Sequence, residues 1–288
     1  MAEPTGLPSE LAGEIEAIAE SAREHDGADP LDEATRLAVR HRDVAEMTVW
    51  TYQGGFALLI DETLSLVVRP DVRRQGVAGT LLAEVLDVAG EEPLAAWSHG
   101  NHPGASALAA TNRFARVRDL WVMRRPGDLD VPPVAPLAGV TVRTYRDEDA
   151  DALVAVNAAA FAGHPEQGRM TREELELRMS QPWFDPHGLF LAEDDSGELL
   201  GFHWTKVSPS GDDLVGEVYV VGIAPAAQGR GVGKLLTSAG LAHLAERSVS
   251  EVELYVEGDN EPAKAMYGKL GFAHAEVDTH VMYRRVTA

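Results

Sequence analysis

Cysteine is absent from the 288 residues. That excludes disulfides, a thiolate nucleophile and Cys-ligated zinc. Positive charge is scarce: 25 Lys and Arg stand against 46 Asp and Glu, a formal net charge of -21. A field of that sign repels nucleic-acid phosphates and anionic lipid, so neither is expected as a partner. It also repels phosphorylated metabolites, which would need a site built to hold them. Long apolar runs are missing too; none approaches the roughly 18 residues that a membrane span needs. The stretch Met1 to Glu20 is acidic and lacks a basic segment followed by an apolar core, so no signal peptide is expected there. His164, His187 and His203 are not spaced as one metal site, and no metal is expected. The expectation is a soluble, cytoplasmic monomer.

What is present suggests two domains. The hydrophobic share of 45% is ordinary for globular protein, and the length suits two cores. Pro126 to Gly139 is crowded with proline and glycine and has no helical or strand period, which reads as a connector between residues 1–130 and 139–288. The two sides resemble each other. Val67 to Leu82 can be laid on Gly222 to Thr237, so that Pro70 meets Pro225, Arg73 meets Gln228, Gly76 meets Gly231 and Ala78 meets Gly233. Downstream, Asn101-His102-Pro103 meets Asn260-Glu261-Pro262, and Val122-Met123-Arg124-Arg125 echoes Val281-Met282-Tyr283-Arg284-Arg285. Several matches in one order indicate an internal duplication.

Each half opens with a helix, over 10–24 and 148–161. In the second half the patterns predict strands over 189–193, 199–207 and 217–223, a helix over 231–247, a strand over 251–257, a helix over 262–270 and a last strand over 277–284. The order argues an α/β (α+β) fold, with helices covering a mixed, mostly antiparallel sheet. Arg124-Arg125 and Arg284-Arg285 read as solvated strand ends.

Gln228-Gly229-Arg230-Gly231-Val232-Gly233-Lys234 lies between a predicted strand and a predicted helix. Glycines there let backbone N–H groups turn inward, and the helix adds its positive end, so the turn can bind a diphosphate with few cationic side chains. A P-loop is excluded by Gln228 at the first glycine and Leu235 at the hydroxyl position. The dinucleotide fingerprint is excluded by Lys234 at its third glycine. A plain glycine-rich connection is the alternative. The first half repeats the turn around Val67-Val68-Arg69 and Gln75-Gly76-Val77-Ala78-Gly79-Thr80.

The pattern [QR]-x-x-G-x-[GA] after a strand, followed by Asn260, Ala263, Tyr267, Gly271 and Phe272 spaced as N-x-x-A-x-x-x-Y-x-x-x-G-F, resembles the GNAT acyltransferase superfamily. Both halves carry the first block; only the second carries the other in full. The resemblance implies two tandem GNAT domains using acetyl-CoA as co-substrate. It also implies a strand segment Val221-Gly222-Ile223 beside the pantetheine arm, with Asn260, Ala263 and Lys264 adding contacts from the last helix. The segments 161–168, 183–186, 201–206 and 216–220 resemble a tandem branch of this superfamily. That branch completes mycothiol by acetylating the cysteinyl amine of a glucosaminyl-inositol thiol, so the implied partner is a small-molecule thiol pseudo-disaccharide. The resemblance places Glu166, Lys206, Glu217 and Tyr255 in the acceptor site, with Glu33 reaching in from the first half.

Glu217 is then the candidate base. By count from the cradle, Glu62 falls at the same place in the first half. Tyr267, two helical turns from Asn260, is the candidate acid for the departing thiolate. Its first-half counterpart by count is Leu108, so the first half is expected to bind without catalysing. An acetyltransferase for another amine metabolite or a protein N-terminus, and a non-enzymatic acyl-CoA-binding module, are the alternatives.

Overall fold

A computed structural model describes residues 7–41, 47–163 and 167–286, the side chains of Glu33 and His41 aside. The chain divides into two compact units. The first holds Met1–Trp121, Glu257–Asp259 and Ala275–Ala288; the second holds Val122–Val256 and Asn260–His274.

The elements run in order α1 (Ser9–Asp26), α2 (Glu33–His41), β1 (Met47–Tyr52), β2 (Gly55–Ile60), β3 (Thr63–Val68), α3 (Val77–Ala89), β4 (Ala95–Ser98), α4 (Pro103–Thr111) and β5 (Phe114–Pro126). After the connector come β6 (Val140–Thr144), α5 (Ala150–Ala160), α6 (Arg172–Met179), β7 (Leu189–Asp194), β8 (Leu199–Ser210), β9 (Asp213–Ile223), α7 (Val232–Glu246), β10 (Glu251–Glu257), α8 (Glu261–Lys269) and β11 (Ala273–Arg285). β6 and α6 are additions to the sequence reading. The signal for α6 was there: Thr171 and Glu174 form a capping box, with Glu174 N–H donating to Thr171 Oγ1 at 3.2 Å.

In the first unit the strand order is β1-β2-β3-β4-β11-β5. Ile15, Ile18, Ala19 and Ala22 make one stripe on α1 and pack with Phe56 and Leu58 of β2. Ala57, the residue between, faces the other way onto Leu81 and Val85 of α3. The second unit repeats the layering in the order β5-β10-β9-β8-β7-β6. α5 and α6 cover Phe202 and Trp204 on one face, and Val232 and Leu236 of α7 cover Ala192 and Leu200 on the other. β5 passes from the first unit to the second at Val122, and β11 passes from the second to the first at Ala275.

Two features of the parallel pairs position the sites. β9 pairs with β10 only from Val215–Glu251 to Val218–Leu254. β3 pairs with β4 only at Thr63–Ala95 and Leu64–Ala96. In both units the strand ahead of the glycine-rich turn therefore leaves its parallel neighbour before reaching the turn.

On the α7 face, His203 is fully buried. Its Nδ1 lies 3.0 Å from the Leu236 carbonyl, and its Nε2 has no partner among the described residues. A Cβ on Gly240 would lie 2.1 Å from this ring, so α7 can approach only as glycine. Burial pushes the imidazole down from 6.5 to about 4. The unfolded ring takes up a proton as pH falls through 6.5, whereas the folded ring resists until about 4. The contribution is therefore whole above the unfolded value and is lost as pH falls across that window. We expect the melting temperature to drop as pH is lowered through it, and His203→Leu to flatten the slope. An unchanged slope in the variant would remove His203 as its source.

Candidate active site

The glycine-rich turn of the second unit ends at Gly231, the N-cap of α7, with φ +89°. No side chain caps this end, and the first intrahelical bond recorded from the cap runs from Leu235 N–H to the Gly231 carbonyl at 3.1 Å. The amides of Val232, Gly233 and Lys234 thus have no intrahelical acceptor, at the positive end of a 15-residue helix. Gln228, Gly229, Arg230 and Lys234 are exposed around them. Backbone amides placed in this way can hold an anion. A side chain at Gly231 would have room, with Leu137 no nearer than 3.7 Å from its Cβ; the constraint is the left-handed backbone.

The first unit repeats the geometry. Gly76 caps α3 with φ +87° and no side-chain cap. The first residue of each motif does the same work: Gln228 Nε2 donates to the Ile223 carbonyl at 3.3 Å and Arg73 Nε to the Val68 carbonyl at 2.9 Å. Both stitch the turn to the last residue of the preceding strand. Arg73 also makes a bidentate pair with Asp26 at 2.7 Å. Against this cradle lies a cavity of about 780 Å³, lined by Val67, Val68, Gly76 to Gly79, Trp97, Leu108 and Tyr283 among others. Gln75 and Thr80 are exposed at the turn, and Arg69 turns outward to pair with Asp71 at 2.6 Å.

Val221, Gly222 and Ile223 pair with His203, Phe202 and Gly201 of β8. Their opposite edge lies beyond the end of the β10 ladder. Asn260 caps α8, its Oδ1 accepting from Ala263 N–H at 3.1 Å, and Lys264 pairs with Glu261 at 2.6 Å. Tyr267 packs edge-on to Phe272, with ring centroids 5.7 Å apart. Burial pushes its phenol up to about 12.

On β9, Trp204 of β8 faces Val220 and Thr205 faces Val218, so Tyr219 is an extra residue. This bulge turns Glu217 to the face opposite α7, across from Lys206 on β8 and Glu253 on β10. The Lys206 ammonium lies over the rings of Trp183 at 4.8 Å and Tyr219 at 5.3 Å. Tyr255, 43% exposed, is two residues on from Glu253 along β10. Glu217, Lys206 and Tyr255 are thus brought to one face. Glu166 lies outside the described residues, as does the Glu33 side chain.

Two equivalences drawn by counting are corrected. β2 and β3 pair from Gly55–Val68 to Ile60–Thr63 with no bulge. The first-unit counterpart of Glu217 is therefore Thr63, not Glu62. On the helices, the N-caps His102 and Asn260 coincide, and so do the positive-φ residues Arg113 and Gly271. Tyr267 then corresponds to Ala109, not Leu108. Of the strand-end arginines, the first pair is corrected as well, while Arg284 is exposed as expected. Arg125 is 2% exposed and donates to the Leu129 carbonyl. Arg124 Nη1 bridges Glu251 at 2.7 Å and Glu253 at 2.6 Å. The sequence reading did not single out Glu253 or Arg124, although the alternation Glu251-Val252-Glu253-Leu254-Tyr255-Val256 marks the face of β10 that carries Glu253 and Tyr255 together. Among the described residues no cluster of three or more His, Asp or Glu is placed to hold a metal ion.

Residues 157–272 match the model of the Acetyltransferase (GNAT) family. Solved structures share the fold. A tandem GNAT protein from the clavulanic acid biosynthesis pathway superposes with a TM-score of 0.72 at 21% identity, covering 99% of this chain and 98% of that one. A GCN5-related N-acetyltransferase from Sphaerobacter thermophilus superposes at 0.69 with 22% identity, over 98% and 94%. Fold and cradle together define a GNAT acetyltransferase. A mycothiol acetyltransferase from Nocardioides sp. is 53% identical over 96% of this chain and 98% of its own, and one from Catenulispora acidiphila is 47% identical over 94% of each. The chain belongs to the mycothiol acetyltransferase family.

Replacing Gly231 by valine forces a branched residue into the left-handed region, at roughly 1–2 kcal/mol. We expect coenzyme A affinity, read by calorimetry, to weaken by about 10-fold. Undiminished affinity would show that the turn is not the binding element.

Proposed function

We propose that the chain is an acetyl-CoA-dependent N-acetyltransferase acting on the cysteinyl amine of a glucosaminyl-inositol thiol, giving mycothiol and coenzyme A, with the second unit carrying the chemistry. The observation that supports this most is one conjunction: an uncapped amide cradle, a strand edge released from its neighbour, and Glu217 and Tyr267, all in one unit. The family membership supports the acceptor. Both partners of the reaction are small molecules, and the corresponding expectation is a cytoplasmic monomer. No helix among the described residues is long and apolar enough to cross a membrane.

Acetyl-CoA would supply the thioester. The Val232 to Lys234 amides hold its diphosphate, which answers the repulsion from a net charge of -21. The free edge of Val221 to Ile223 aligns the arm, and a backbone N–H there polarises the carbonyl. A cysteinyl α-amine has a pKa of roughly 7.7–8.0, so part of it is neutral near pH 7. Glu217, directly or through water, takes the proton released as the N–C bond forms. Tyr267 gives its proton to the sulfur as the C–S bond breaks. A phenol pushed up to about 12 stays protonated at every working pH and is ready to donate. Lys206 and Tyr255, with Glu166, are the proposed acceptor contacts. The first unit keeps the cradle and a cavity against it, but has Thr63 and Ala109 where the second has Glu217 and Tyr267. Its role is to hold acetyl-CoA without turning it over.

Tyr267→Phe keeps the ring against Phe272 and loses the proton. We expect kcat to fall by up to roughly 10²–10⁴ with coenzyme A affinity retained; an unchanged kcat removes the phenol from the mechanism. For the acceptor, N-acetyl product is measured by mass for the pseudo-disaccharide thiol and for a panel of simple amines. We expect kcat/KM to favour the pseudo-disaccharide by at least about 10²-fold. Equal rates across the panel would discard this acceptor and leave the acetyltransferase.

A further inference from the structure

Charged side chains run in a row across four neighbouring strands of the second unit: Lys206 on β8, Glu217 on β9, Glu253 on β10 and Arg124 on β5. Glu217 and Glu253 are direct register partners on parallel strands, so their side chains rise from the same face of strands roughly 4.8 Å apart. Like charges directly opposite each other destabilise a sheet. The Glu253 side chain is also largely buried, at 18% exposed, which raises the cost of its charge. Stability alone does not select such a pair. Arg124 offsets the cost by placing its guanidinium 2.6 Å from Glu253 Oε2.

The first unit supplies an internal control. At the positions matching Lys206, Glu217 and Glu253 it carries Ile60, Thr63 and Ala95. Arg284 lies opposite Ala95, and no carboxylate among the described residues is paired with it. The same fold therefore forms without the charged row, and the row occurs only in the unit that has Tyr267.

We propose that Glu253 and Arg124 are a second acceptor-binding element beside Glu217. Glu253 accepts hydrogen bonds from the ammonium and hydroxyl groups of a cationic, polyhydroxylated amine, and Arg124 is the positioning residue that holds its carboxylate in place. The inference rests on the reading of the second unit as an amine acetyltransferase. Two adjacent carboxylates flanked by cations suit a ligand that is itself cationic and rich in donors. They do not suit the thioester partner, whose charge is negative and whose cradle lies at the start of α7.

The test is steady-state kinetics of the full chain with acetyl-CoA and the pseudo-disaccharide thiol, for wild type, Arg124→Gln, Glu253→Gln, the double variant and Arg124→Lys. Each glutamine variant is expected to raise the acceptor KM by about 10-fold, the scale of one lost hydrogen bond to a charged group. The acetyl-CoA KM should stay in place throughout, and the melting temperature should hold in Glu253→Gln and in the double variant; Arg124→Gln alone leaves the Glu253 carboxylate without its cation and lowers the melting temperature. The double variant should be no worse than Glu253→Gln alone, because Arg124 acts through Glu253. Arg124→Lys should recover most of the acceptor KM. An active wild type with unchanged acceptor KM in both single variants overturns this inference alone. Additive losses overturn the positioning role of Arg124. A lower melting temperature in Glu253→Gln together with a raised acetyl-CoA KM reduces the pair to a structural one and overturns the proposal. A wild type that does not turn over this acceptor overturns the functional reading, and this inference with it.

Discussion

Where β9 parts from β10, after Val218 and Leu254, peptide groups that would otherwise bond to a neighbouring strand become available to a ligand. Backbone polar groups must find partners, so an edge released inside a folded unit is a binding surface by construction. It leads directly into the amide cradle at Gly231. One ligand can therefore satisfy the strand edge with an amide-bearing arm and the cradle with a diphosphate. That continuity is why a chain of net charge -21 can still handle a polyanion. The attraction comes from fixed dipoles over a few ångströms, where the diffuse repulsion of surface carboxylates is already screened by salt.

The same divergence occurs after Leu64 and Ala96 in the first unit. The duplicated architecture thus gives both units the same strand edge and turn, and does not by itself distinguish them. What separates the units is smaller. A single extra residue at Tyr219 shifts the parity of β9 and carries Glu217 to the face it shares with Lys206 and Glu253. One helix position then carries a phenol in one unit and a methyl group in the other, Tyr267 or Ala109. Both differences are cheap for the fold, because neither alters the core that α3 or α7 covers.

These two differences also mark how far the sequence could be read. The cradle was legible because glycine at a left-handed position has a conformational cause that a sequence displays. The N-x-x-A-x-x-x-Y block was legible because capping and helical spacing are local. The bulge was not. Nothing in Glu217-Val218-Tyr219-Val220 differs from an unbroken strand, and the extra residue exists only relative to β8. Counting back from the cradle therefore reached Glu62 instead of Thr63. The Leu108 assignment failed for a related reason: His102, not Asn101, caps α4. A histidine cap with Nδ1 accepting from Gly104 N–H at 3.0 Å is not among the usual capping residues.

Arg124 shows a limit of a different kind. A basic pair at the end of a strand reads as solvated, because locally it is indistinguishable from one. Its surroundings depend on which strand lies beside it, and β5 crosses into the second unit at Val122. A residue from the first half of the sequence thus contributes a cation to the charged face of the unit formed mainly by the second half. Cutting the chain at the Pro-rich connector would divide the sequence at its most loop-like point and still remove Arg124 from Glu251 and Glu253, leaving two carboxylates with their cation gone. The duplicated halves are repeats in sequence, but the charge balance of this face is a property of the whole chain, which gives a physical reason why the second half of the sequence does not stand without the end of the first.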